Sequence, residues 1–262
     1  MEGMDSHVGA PESMVMDIAA GLLGTPPTAP EMAGGVETLA LALVKAGFHD
    51  HRGILIHGSH ADGTANAFSD VDVVVICEET SSKDQLKLLH RGLPFDITHM
   101  SKEGVSRRIS ADIAGRRPRL IFSIARSRIL ESKDAFTGDI IGFCQAAVRA
   151  PYTVKPNDTL KLRRVVSGLC LDILAPKDRT AALCIVPQLI ASMLSLKALL
   201  LSGWIEQGRH AYAAAAGDGR FLTSLMAAAR RAYDGQDLTD LCSMAATLVR
   251  EAGGPTWRTL DS

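Results

Sequence analysis

The sequence predicts an α+β protein in two parts, a mixed β-sheet with flanking helices over residues 35–150 and an all-helical bundle over 151–262. Three observations carry this. Runs rich in β-branched residues occur only before about residue 135. Helical periodicity and alanine-rich stretches such as AAAAG and MAAAR dominate afterwards. The two regimes meet at a break between Pro151 and Pro156.

In chain order, residues 1–34 read as a flexible tail, because TPPTAP at 25–30 lacks the backbone donors to continue a helix. Val36, Leu39, Leu43 and Val44 recur near the 3.6-residue period, so Gly35–Gly47 predicts a helix that Gly47 can end. Gly53–His57 is a short apolar run before a glycine and predicts a buried strand entering a tight turn. Asp70–Ile76, DVDVVVI, predicts a second strand, Asp84–Leu89 a short helix, and Leu93–Met100 an alternating third strand. Lys102–Ile113 predicts a helix, Ser127–Glu131 a strand and Thr137–Ala150 another helix. Beyond the break, Asp158–Leu174, Ala181–Ser202, Arg220–Tyr233 and Leu238–Glu251 predict helices, with Asp158 as N-cap of the first. Ala181–Leu201 carries a single charge, Lys197. Its Pro187, Gln188, Ser192 and Ser195 and its amphipathic neighbours favour a buried core helix over a membrane span.

Composition narrows the function classes. With 28 basic and 29 acidic side chains the chain has a formal net charge of −1, which does not suit a protein that coats nucleic acid. Five scattered cysteines without a CxxC pair argue for reduced thiols, hence a cytoplasmic location. The acidic N-terminus lacks the basic-then-apolar order of a secretory signal.

Chemistry concentrates in Ile54–Ile76, ILIHGSHADGTANAFSDVDVVVI. Gly58 and Ser59 follow a strand directly, where glycine admits close backbone approach and a serine hydroxyl can meet a phosphate oxygen. Asp70 and Asp72 stand at i and i+2, so both carboxylates project from one face of the sheet and Val71 and Val73 from the other. Crowded carboxylates repel, and a divalent cation such as Mg²⁺ with its preference for hard oxygen ligands resolves that repulsion. Asp96 falls on the polar face of the third strand; if that strand lies beside the Asp70 strand, three carboxylates meet around one cation.

This pattern resembles the polymerase-β-like nucleotidyltransferase superfamily. GSHADGTANAFSDVDVVV in particular is similar to the corresponding stretch of aminoglycoside-type and minimal nucleotidyltransferases. The resemblance implies a nucleotidyltransferase catalytic domain over 35–150 and a helical substrate-binding domain over 151–262. It implies that Gly58 and Ser59 hold a nucleoside triphosphate, that Asp70 and Asp72 bind Mg²⁺, and that Asp96 shares the metal and orients or deprotonates the attacking hydroxyl. Many relatives carry arginine where this chain has Asp62, and a carboxylate there cannot bind phosphate. Lys155, Lys161, Arg163 and Arg164 are therefore the candidate replacements, with Lys155 and Lys161 assigned to the nucleotide. The implied reaction moves AMP from ATP to a hydroxyl, most readily of a small molecule such as an aminoglycoside, and releases pyrophosphate. An antitoxin-like enzyme that modifies a protein is the alternative, as is a catalytically weak nucleotide-binding protein. Residues 151–262 carry 13 basic and 10 acidic side chains, a net +3, which suits a polycationic acceptor poorly.

Other motifs carry less. His57 and His60 form an HxxH with His49 and His51 nearby, but no further ligand cluster completes a zinc site. GxSxG, GxxxxGK[ST] and GxGxxG are all missing. Arg107, Arg108, Arg116, Arg117, Arg119, Arg126 and Arg128 form a basic run, for which a solvated helix face and loop is favoured over a nucleic-acid patch. Trp204 and Trp257 read as packing residues.

Overall fold

A computed structural model describes residues 35–66, 68–78, 85–175, 179–235 and 238–256. The tail expected over 1–34 and the packing role expected for Trp257 lie outside these residues. The chain is α+β and divides into two compact units. One holds residues up to 113 together with 119–150, the other holds 114–118 together with 151–262.

In the first unit, α1 (Gly35–Gly47) precedes β1 (His51–His57), a short α2 (Gly58–Asp62) and β2 (Val71–Cys77). A hairpin of β3 (Gln85–His90) and β4 (Leu93–Ser101) follows, then α3 (Lys102–Gly115), α4 (Leu120–Ala125), β5 (Arg128–Ser132) and α5 (Phe136–Arg149). The five strands form one sheet in the order β3-β4-β2-β1-β5. Only β2 and β4 run parallel; the other three pairs are antiparallel.

Alternation decides what each face of the sheet does. Ile54, Ile56, Val71, Val73, Val75, Phe95 and Ile97 share one face and are buried with Leu39, Ala40 and Val44 of α1. Leu55, Val74 and Ile76 on the opposite face are fully buried as well, whereas Asp72 and Asp96 on that face are only half-buried. Gly53 lets α5 approach β1, since a Cβ there would lie 2.3 Å from Thr137 Oγ1. The buried carboxylate of Asp112 accepts the Ile121 N–H at 3.0 Å and so anchors the start of α4.

Residues 85–90 form a strand, not the expected short helix over Asp84–Leu89. Arg91 and Gly92 both take left-handed backbone angles, φ 49° and 77°, and His90 pairs with Leu93. A two-residue turn with both central residues at positive φ matches the twist of antiparallel strands, and Gly92 makes it inexpensive. The helices α2 and α4 are also additions to the sequence reading.

The second unit comprises α6 (Pro156–Leu174), α7 (Arg179–Ser202), α8 (Gly208–Ala215), α9 (Gly219–Tyr233) and α10 (Thr239–Glu251); α8 is a further addition. By length and composition α7 could cross a membrane, but it packs against all four other helices and Met193–Leu199 is buried throughout. Val166, Ile173, Val186, Leu189, Leu225, Ala228, Leu241 and Leu248 close one apolar core around it. Inside that core the Lys197 ammonium is held by Asp218 at 2.8 Å and Glu251 at 3.4 Å. The Arg116 guanidinium lies between the rings of Tyr152 and Trp204, 3.8 and 3.9 Å from their centroids, and its Nε donates to Gly203 O at 2.6 Å. Trp204 is buried, as a packing residue should be.

Two expectations for α6 need correction. Asp158 is not its N-cap; Lys155 is, and Asp158 at the third helical position accepts the Lys155 N–H at 2.7 Å and the Tyr152 hydroxyl at 2.8 Å. Arg163 is a structural residue, not a phosphate ligand. It is buried, donating to Gly254 O at 2.6 Å and to Pro156 O at 2.9 Å, so its guanidinium ties the ends of the chain segment together.

Candidate active site

Strand register builds the site. His57 on β1 pairs with Asp72 on β2, Asp72 with Asp96 on β4, and Asp96 with Lys87 on β3. Cross-strand partners lie about 5 Å apart, so these four side chains form one row across four strands on one face. Asp70, two residues before Asp72, projects to that same face and is exposed. Carboxylate oxygens of Asp70, Asp72 and Asp96 lie within 4.8 Å of one another, the one such group of potential metal-ligating side chains among the described residues. Three hard oxygen donors at this spacing fit a divalent cation such as Mg²⁺ or Mn²⁺.

The connection between β1 and β2 is built to bring these acids together. Gly58 has φ +67°, and a Cβ there would sit 2.4 Å from Asp72 Oδ2. Glycine at this position is thus required twice, by backbone conformation and by the approach of the Asp72 carboxylate. Ser59 is half-buried in the first turn of α2, and its carbonyl accepts the Thr64 N–H at 2.9 Å as the chain leaves that turn. Asn66 then organises the approach to Asp70. Its side-chain oxygen accepts the Phe68 N–H at 2.9 Å, and its own N–H donates to Ser69 Oγ at 2.9 Å.

Charge around the row is uneven. Burial lowers the His57 pKa to about 4 against the opposing pull of Asp96, Asp70 and Asp62, so the imidazole is neutral near pH 7. Lys87 Nζ lies 2.9 Å from Asp96 Oδ2, and this hydrogen bond and charge hold its ammonium above the usual lysine range. Gln85 Nε2 donates to Asp96 Oδ1 at 2.7 Å and to Oδ2 at 2.9 Å.

Gly58, Ser59, Asp70, Asp72 and Asp96 thus fall in one unit, with the three acids clustered and Gly58 against Asp72. Lys155 and Lys161 belong to the helical unit, exposed at the start of α6 and on its first turns. Asp62 is exposed at the end of α2. Arg128 pairs with Glu37 at 2.5 Å and donates to His60 O at 3.0 Å, which ties α2 to β5. His51 Nδ1 donates to Phe48 O at 2.6 Å and its Nε2 faces Glu131 Oε1 at 2.9 Å, a structural use, and among the described residues no histidine cluster forms with it. Sequence reasoning missed Lys87, Gln85 and the place of His57 in the row. The turn signal Arg91-Gly92 with the alternation of Gln85, Leu86, Lys87 and Leu88 could have revealed the first two.

The nucleotidyltransferase domain family matches residues 45–118, which span β1 to α3 and include all five site residues of the first unit. That match falls on the segment whose Gly58-Ser59 and Asp70-x-Asp72 motif resembles the polymerase-β-like nucleotidyltransferase superfamily. No curated protein sequence matches the chain. Among solved structures the chain is similar to a nucleotidyltransferase-like protein from Exiguobacterium sibiricum, at 12% identity and a TM-score of 0.45, over 83% of this chain and 75% of that one.

Proposed function

We propose that this protein transfers a nucleoside monophosphate from a nucleoside triphosphate, ATP in the first instance, to a hydroxyl group, with release of pyrophosphate. The observation that carries the reading is the convergence of Asp70, Asp72 and Asp96 within 4.8 Å beside the glycine-serine bend of a nucleotidyltransferase domain. Asp70, Asp72 and Asp96 would hold a divalent cation, Mg²⁺ in the cell. A bound cation would neutralise charge on the phosphoryl oxygens and align the attacking and leaving groups.

Each side chain has a task that follows from its position. Gly58 and the N–H groups that open α2 accept the polyphosphate where a side chain would obstruct it, and the Ser59 hydroxyl donates to a phosphate oxygen. Asp96, on the neighbouring strand to Asp72, orients the acceptor hydroxyl and takes its proton. Lys155 and Lys161 assist the triphosphate, and residues 151–262 bind the acceptor. The net +3 of those residues favours an acceptor without strong positive charge over a polycationic aminoglycoside. The reaction takes place in the cytoplasm, where the five thiols stay reduced.

Incubation of the full chain with α-³²P-ATP and MgCl₂ tests this, with panels of neutral polyols, aminoglycosides and protein acceptors. Label on a small acceptor with pyrophosphate release is the expected result, lost in the Asp70→Ala, Asp72→Ala double variant. Label on protein alone would transfer the proposal to protein modification. Undiminished transfer by a folded double variant would refute the site.

A further inference from the structure

The side chain that completes the row beyond the acids is basic, and it comes from a strand at the edge of the sheet. Lys87 and Gln85 stand at i and i+2 on β3, so both project to the face that carries Asp96. Between them they occupy both oxygens of Asp96: Oδ1 accepts from Gln85 at 2.7 Å, and Oδ2 accepts from Gln85 at 2.9 Å and Lys87 at 2.9 Å. These are the oxygens that a cation shared with Asp70 and Asp72 would need. Backbone pairing, not side-chain flexibility, sets the juxtaposition, since Lys87 is the direct cross-strand partner of Asp96.

We propose that Lys87 is a resident counter-ion of the site, which holds Asp96 when no divalent cation is present and competes with that cation for the carboxylate. The proposal rests on the metal reading above and goes beyond it by naming what sets the affinity. Lys87 sets an ammonium against one of three carboxylates that lie within 4.8 Å, so a cation that takes Asp96 must separate it from Lys87. The lysine can withdraw, because its side chain is 70% exposed. An ordinary surface ion pair contributes little to stability, and the stability of the strand is not the expected readout here. The expected readout is the cation's affinity, because a cation that takes Asp96 must first break its contact with Lys87.

The test is Mn²⁺ binding to the full chain, followed by the electron paramagnetic resonance signal of free Mn²⁺, with no nucleotide present. Lys87→Met should tighten binding about two- to fivefold, the effect of no longer having to break one exposed ion pair. Lys87→Arg keeps the charge and should bind Mn²⁺ as the parent does, while the circular dichroism of both variants stays native. In an Asp96→Asn background, Lys87→Met should change nothing, because the two residues act through one contact. Equal or weaker binding by Lys87→Met overturns the proposal. So does a gain that persists in the Asp96→Asn background. A parent chain that binds no Mn²⁺ at millimolar concentration removes the metal reading and this inference with it, whereas binding by the parent without the Lys87 effect removes the inference alone.

Discussion

Replacing Gly58 with alanine separates two demands that meet at one residue. The first is conformational: at φ +67° an L-residue costs about 1–2 kcal/mol relative to glycine. The second is steric. The new Cβ would lie 2.4 Å from Asp72 Oδ2, whereas ordinary contact begins near 3.4 Å, so the carboxylate must retreat by about 1 Å. A displacement of that size at a reacting centre costs on the order of 10²-fold in rate. Gly63 supplies the control, with φ +72° and open space where its Cβ would go. Both Gly58→Ala and Gly63→Ala should lower the melting temperature by a few degrees, as a loss of about 1–2 kcal/mol does in a domain of this size. Only Gly58→Ala should also lose nucleotidyl transfer, about 100-fold, and weaken Mn²⁺ binding. Thermal unfolding and Mn²⁺ titration of the two variants side by side check this. Equal transfer and equal Mn²⁺ binding in the two would show that Asp72 does not depend on the bare Cα of Gly58.

Asp72→Asn removes one of three crowded like charges. It should leave the melting temperature unchanged or higher while Mn²⁺ binding and transfer are lost, a separation that calorimetry and titration on one preparation can display. His57 adds a pH dependence. Its folded pKa of about 4 lies below the ordinary histidine value of 6.5, so between those limits the unfolded chain binds more protons and stability falls as pH drops from 6.5 towards 4. Urea unfolding at a series of pH values should show that slope in the parent and a shallower one in His57→Gln. Arg116→Lys replaces a planar group stacked on two rings with a compact ammonium that cannot cover both and reach Gly203 O. A loss of about 1–2 kcal/mol is expected from chemical denaturation followed by the fluorescence of Trp204.

The acids were readable because their spacing alone fixes their side of the sheet. Asp70 and Asp72 at i and i+2 share a face in any strand, and the alternation of Phe95, Asp96 and Ile97 assigns Asp96 a polar face. What spacing cannot supply is which strands are neighbours. The parallel pairing of β2 with β4 brings Asp96 beside Asp72, and it follows from packing of the whole sheet. The β3 strand is hard to read from sequence for a local reason. Gln85–His90 is an exposed edge segment whose leucines do not form a clean buried stripe, so its periodicity was weak and only the Arg91-Gly92 turn marked it. The role of Arg163 is hidden because sequence shows a basic residue but not its burial against the carbonyls of Pro156 and Gly254. The short helices α2, α4 and α8 fall below the length at which periodicity distinguishes a helix from a turn.

The allocation of residues 114–118 to the helical unit, with Arg116 between Tyr152 and Trp204, makes the two halves inseparable as cassettes. A gene fragment that begins at residue 151 leaves behind an arginine that its product needs, and one that ends at residue 150 carries that arginine with no aromatic pair to receive it. Recombination that swaps the helical half of such a protein for another has to cut in three places, or bring along five residues from the middle of its neighbour.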